Sequence, residues 1–166
     1  MSSDIVCASC GRSVDAHNQH YRFTLPDPVL DTPEREHAEG TWMSDADANR
    51  SVLLQVPNVG PFVRALLPVK LTGGFALTFG VWLAVHPEDL QRAARVWHQP
   101  EYSDLVLDGW LANALPVWGL LACPVRAVVR VMEHTPYCSE SANAKMNSVL
   151  TDELPHDLIL SAVTTR

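Results

Sequence analysis

The most specific chemistry in the chain sits near its start. Cys7 and Cys10 stand with two residues between them, Gly11 follows, and His17 and His20 come a few positions later. Two thiolates at this spacing bind one ion, and the glycine lets the turn close with backbone N–H groups facing sulfur. A tetrahedral structural site needs four ligands. His17 and His20 are near enough to supply the rest, whereas Cys123 and Cys138 do so only if the fold brings them in. The expectation is a zinc-knuckle-like turn with zinc as its cofactor. Beside it stands a plainer reading, a pair of free thiols at a tight turn, because one Cys-x-x-Cys without a second pair is a weak signal. A thioredoxin-like redox role fits less well, since no βαβ pattern follows.

A second group of candidates is Arg64, Trp82 and Trp110. Arg64 stands mid-strand among apolar neighbours, where a planar guanidinium serves as donor to an anionic ligand. Trp82 and Trp110 then line a pocket with it. The plainer reading is a salt-bridged or flattened arginine and two tryptophans that pack. His86, at a helix start, reads as a capping or surface residue. Asp45, Asp47 and Asn49 have calcium-loop spacing but lack the glycine and closing glutamate of that loop, so they read as solvated turn acids. Nucleophile elbow, phosphate loop, dinucleotide fingerprint and His-Glu-x-x-His are all missing from the sequence.

These residues need elements to hold them. Val63, Ala65, Leu67, Val69 and Leu71 alternate on one face of a strand. After Thr72-Gly73-Gly74, residues Phe75, Leu77, Phe79, Val81, Leu83 and Val85 alternate again. Gly73-Gly74 supplies the positive φ values of a tight turn, so Phe62 to Val85 reads as a hairpin. Residues 50–57 form a strand that pairs with its first half. Pro87 to Trp97 is a helix, begun by proline and acids, that packs through Leu90, Ala94 and Trp97. Gly109 to Leu115 and Val125 to Glu133 extend the sheet, residues 25–49 form a surface loop, and a short helix covers Asn143 to Leu150. The expected fold class is α+β: an antiparallel sheet built on a central hairpin, one main helix packed on it, and the knuckle-like turn at the N-terminus.

The 166 residues suit one domain, with residues 1–24 as the Cys/His segment, 50–134 as the core and 135–166 as a C-terminal segment. Net charge is −7 and no Lys/Arg run offsets it, which disfavours nucleic acid and anionic membranes as partners. The start has neither a basic region nor an apolar run of a secretory signal, and no apolar stretch reaches the ~20 residues of a span. The cytoplasm is the expected location.

Cys7-x-x-Cys10-Gly11, Phe62-Val63-Arg64 ahead of Leu67-Pro68-Val69, Gly80-Val81-Trp82, a helix ending near Trp97, and Gly109-Trp110-Leu111 before a proline occur in this order. Together, over roughly Cys7 to Met132, they resemble the bacterial "domain of unknown function 2199" family. The resemblance implies a small cytoplasmic bacterial α+β protein with an N-terminal Cys pair, and no activity. A histidine often found shortly after the Cys-Gly of such sequences is replaced here by the Val14-Asp15 region, and Cys138 to Glu153 diverges. Two functions follow as expectations. One is a zinc-knuckle-bearing binding or accessory protein whose partner is a protein or a small molecule. The other is a small enzyme of a specialised pathway, metal-dependent or pocket-type, acting on an anionic or aromatic small molecule. Oligomeric state is not readable from these features.

Overall fold

The computed structural model describes residues 20–30, 41–45, 50–57, 59–115, 118–156 and 159. In chain order the elements are β1 (His20–Arg22), α1 (Asp27–Leu30), β2 (Trp42–Met43), β3 (Leu53–Val56), β4 (Gly60–Leu71), β5 (Phe75–Ala84), α2 (Pro87–Val96), β6 (Val106–Leu111), β7 (Pro124–Val128), β8 (Tyr137–Glu140), α3 (Ala144–Thr151) and β9 (Glu153–Leu154). Short 3-10 turns cover Thr72–Gly74 and Pro100–Asp104.

The hairpin forms as its alternation requires. β4 and β5 pair antiparallel from Leu71↔Phe75 at the turn to Phe62↔Ala84 at the open end. Gly73 and Gly74 take φ of 82° and 81°, values that cost a side-chain-bearing residue steric strain. Val63, Ala65, Leu67, Val69, Leu77, Phe79, Val81 and Leu83 are all buried on the inner face. Each large apolar side chain removed from water there contributes about 1.5–3 kcal/mol. β3 pairs with the start of β4, Leu53 opposite Val63 and Val56 opposite Gly60, as expected.

The sheet itself differs from the expectation of an antiparallel sheet carrying one main helix. β5 pairs with β6, β6 with β7, β7 with β8, β8 with β4, and β4 returns to β5, so the strands close into a mixed barrel. The closing contact is parallel: Leu66 of β4 faces Tyr137 of β8, and the Leu66 N–H donates to the Pro136 carbonyl at 2.8 Å. β1 on β5 and β9 on β4 are parallel as well. Inward side chains fill a barrel this small, and closure removes the open edges a flat sheet would expose. A register shift between Arg126 and Ala127 marks an irregularity in the β7–β8 pairing, a feature that bends a strand. The fold class is therefore a closed mixed β-barrel with few and short helices.

Several boundaries shift with it. The strand expected at Gly109 to Leu115 is β6, Val106–Leu111, and the one expected at Val125 to Glu133 is β7, only Pro124–Val128. Gly109 sits where β6 crosses β5, and a Cβ there would run into the Ala84 carbonyl oxygen. α2 begins at Pro87 as expected and buries Leu90 and Ala93, while Ala94 is exposed. Asn143 caps α3, its side-chain oxygen accepting from the Met146 N–H at 3.0 Å.

A second, smaller core lies on the outside of the hairpin. Leu25, Val29, Leu54, Val56, Phe62, Trp82 and Ala112 pack together there. Asn113, fully buried, ties this layer down: its Oδ1 accepts from the Trp82 N–H at 2.8 Å and its Nδ2 donates to the Leu25 carbonyl at 2.9 Å. Asp27 accepts from the Ala114 N–H at 2.7 Å. The start of the 25–49 stretch, read from sequence as surface loop, is thus part of the packed structure.

Candidate functional site

Arg64 and Trp82 do come together, but inside the fold. They are cross-strand partners in β4 and β5, both buried, on the outer face of the hairpin. Arg64 Nε donates to the Ser51 carbonyl at 2.9 Å and Nη1 to Phe23 at 2.7 Å and Gly80 at 3.4 Å. Nη2 donates to Thr24 at 3.2 Å. Burial and then the Arg22 charge pull the guanidinium pKa down to about 9. The four carbonyls and the Trp82 ring compensate the loss of water. Trp82 Nε1 shares the Thr24 carbonyl at 3.2 Å. This pair is a staple joining the 23–24 segment, Ser51 and the hairpin.

Trp110 is elsewhere. It points outward from β6, over a third exposed, beside a cleft of about 830 Å³. Clefts of roughly 300–1,000 Å³ are the usual size for ligand sites. The outer faces of β6, β7 and β8 form its floor, and the first turns of α2 form a wall. Strand alternation sends Val106, Asp108 and Trp110 outward, and Leu107, Gly109 and Leu111 inward. The antiparallel register then sets Trp110 opposite Pro124 and Asp108 opposite Arg126, with Glu140 opposite Arg126 on the far side.

Arg126 bridges the two acids. Its Nε and Nη2 reach the two Asp108 oxygens at 2.8 and 3.3 Å, and its Nη1 lies 3.5 Å from Glu140 Oε1. The hydrogen bond to Asp108 raises the Arg126 pKa. On the wall, Arg92 pairs with Asp89 at 3.1 Å and donates to the Val106 carbonyl at 2.6 Å, fastening α2 to β6. His86, exposed at the helix start as expected, meets the Trp110 ring nearly perpendicular with centroids 5.2 Å apart. The arrangement combines a half-open aromatic, a proline and exposed carboxylates on one open face.

A second cleft of about 580 Å³ lies between β2, β3, the end of α2 and the 132–135 turn, with Trp42 and Met132 exposed on it. Tyr102 at its base donates to the His134 carbonyl at 2.6 Å, and burial raises its pKa.

Of the expected metal ligands, Cys7, Cys10 and His17 lie outside the described residues, and of His20 only the backbone in β1 is described. Cys138 is buried in the barrel core, where burial pushes its thiol up to about 12, and Cys123 packs against the same core. Neither joins a ligand set: among the described residues no group of three or more His, Cys, Asp or Glu could hold a metal ion. The described residues therefore offer the metal-binding expectation no ligand set of their own, and the side chains it names, Cys7, Cys10, His17 and His20, lie outside them.

The groove residues Asp108, Arg126 and Glu140 escaped sequence reasoning. Alternation within β7 places Arg126 on the outer face, but its partners lie on strands 18 and 14 positions away and depend on register. Among the described residues no helix is long and apolar enough to cross a membrane. No curated protein and no solved structure matches the chain. One family model matches residues 6–149, described as "Uncharacterized protein conserved in bacteria (DUF2199)". That match includes residues 135–149, expected to diverge.

Proposed function

The chain belongs to the DUF2199 family, conserved in bacteria, and on that premise we propose that it is a non-catalytic binding or accessory protein working in the cytoplasm. Its binding face is the groove under Trp110. The observation that carries this reading is the outer wall of the barrel: Trp110 and Val106 are exposed there beside the Asp108–Arg126–Glu140 ladder. The described barrel interior is filled by side chains of the main core, such as Leu67, Leu77, Phe79 and Leu107, so the available recognition surface is outside it. Zinc at the Cys7–Cys10 turn belongs to the same proposal, supported by the Cys-x-x-Cys-Gly spacing alone; metal analysis of protein purified without chelator, against Cys7→Ser, tests it, and less than a tenth of an equivalent would sink it.

The groove is tested by photo-crosslinking in bacterial cells. A photoreactive residue replaces Val106 in the groove or, as a control, exposed Gln91 on α2. A discrete adduct is expected from position 106, absent from position 91 and lost when Trp110→Ala is added. No adduct at 106, or the same adducts from both positions, would overturn the reading.

A further inference from the structure

We infer that the groove takes an arginine side chain carried on an extended segment of a partner protein; this rests on the groove being the binding face. The argument is charge and shape. Asp89, Asp108 and Glu140 line the cleft against Arg92 and Arg126, and both arginines are already engaged. One carboxylate is left over, in the field of a chain of net charge −7. Glu140 is the least satisfied of the three, its contact being Arg126 at 3.5 Å. Asp108 and Glu140 are also the most exposed, at 67% and 61%, and a carboxylate accepts more hydrogen bonds than Arg126 supplies.

Arginine fits better than lysine. Arg126 already demonstrates that a planar fork matches the acids of this wall, and an ammonium lacks that bidentate geometry. Trp110 adds an indole for a guanidinium to stack on. The same chain uses this pairing inside its fold, where the Arg64 guanidinium carbon sits 4.3 Å from the Trp82 ring centroid. An extended segment suits the floor because an open cleft across three strands admits successive side chains.

The test is calorimetric titration of the full chain with three synthetic peptides of alternating glycine and arginine, glycine and lysine, or glycine and glutamate. The arginine peptide is expected to bind about three- to tenfold more tightly than the lysine peptide, with Trp110→Ala losing a similar factor. Glu140→Gln should weaken binding, while Glu101→Gln, an equal change in net charge on the Pro100–Asp104 turn, should not. Equal losses from Glu140→Gln and Glu101→Gln would reduce the effect to net charge and overturn the inference. So would a glutamate peptide that binds as well as the arginine peptide, or no binding by the arginine peptide. If position 106 still crosslinks a partner in those cases, the groove stands and only the partner's chemistry is wrong. If it does not, both readings fall.

Discussion

The Arg64 guanidinium lies over the face of Trp82, its cross-strand partner, with the carbon 4.3 Å from the ring centroid and both side chains out of water. A cation in that position is held because carbonyls from three separate parts of the chain converge on it. It makes the hairpin's outer face an interior, and so decides how the segment before α1 docks.

Removing this cation takes the donor from the Ser51 and Phe23 carbonyls, while the Thr24 carbonyl keeps Trp82 Nε1 and the Gly80 carbonyl keeps the Phe23 N–H. Arg64→Ala is expected to cost at least ~2 kcal/mol, since each buried polar group left unsatisfied costs about 1–3 kcal/mol. Arg64→Lys keeps the charge but loses the fork, and should recover only part of that. Urea unfolding measures both. An Arg64→Ala midpoint equal to wild type would show that the staple contributes nothing.

Alkaline stability should report the Cys138 thiol. Burial raises its pKa from 9.0 to about 12. Between those values the unfolded thiol has lost its proton and the folded one has not, so the unfolded state binds fewer protons and stability falls as pH rises. Tyr102, also raised by burial, acts in the same direction. Arg64 acts in the opposite one, because its pKa is lowered and the folded state releases its proton first. Comparing wild type with Cys138→Ala isolates the thiol. The variant is expected to lose stability less steeply between pH 9 and 11, and parallel profiles would contradict the burial of Cys138.

The two faces of β5 differ at adjacent positions. Phe79 is fully buried and stacks near Tyr21 and Phe23, with ring centroids 5.9 and 6.5 Å away, while Thr78 on the other face is half-buried. Phe79→Asp should abolish folding by placing an unpaired charge in the core. Thr78→Asp should leave a cooperative unfolding transition. Circular dichroism and thermal melts decide it, and equal damage from the two would mean the faces are not distinguished.

The sequence by itself determined the local parts. Period-two alternation and two glycines specify the β4–β5 hairpin and its inner face, and proline with first-turn acids specifies α2. These signals lie within a few residues of one another, so local sterics and hydrophobicity suffice. The motifs from Cys7 to Trp110 were enough for the family as well.

Only the tertiary structure decided that the sheet closes. β8 is a four-residue strand, Tyr137–Glu140, too short to show a period, and its parallel contact with Leu66 spans about half the chain. Tertiary structure also separates Trp110 from Arg64 and Trp82, which sequence had grouped: β6 sends Trp110 to the solvent side, while Leu25 and Val29 pack with Trp82. The groove arises last, because Asp108, Arg126 and Glu140 meet only once three strands are in register. Alternation assigns a residue to a face, but which strands become neighbours depends on long-range pairing that no local pattern encodes.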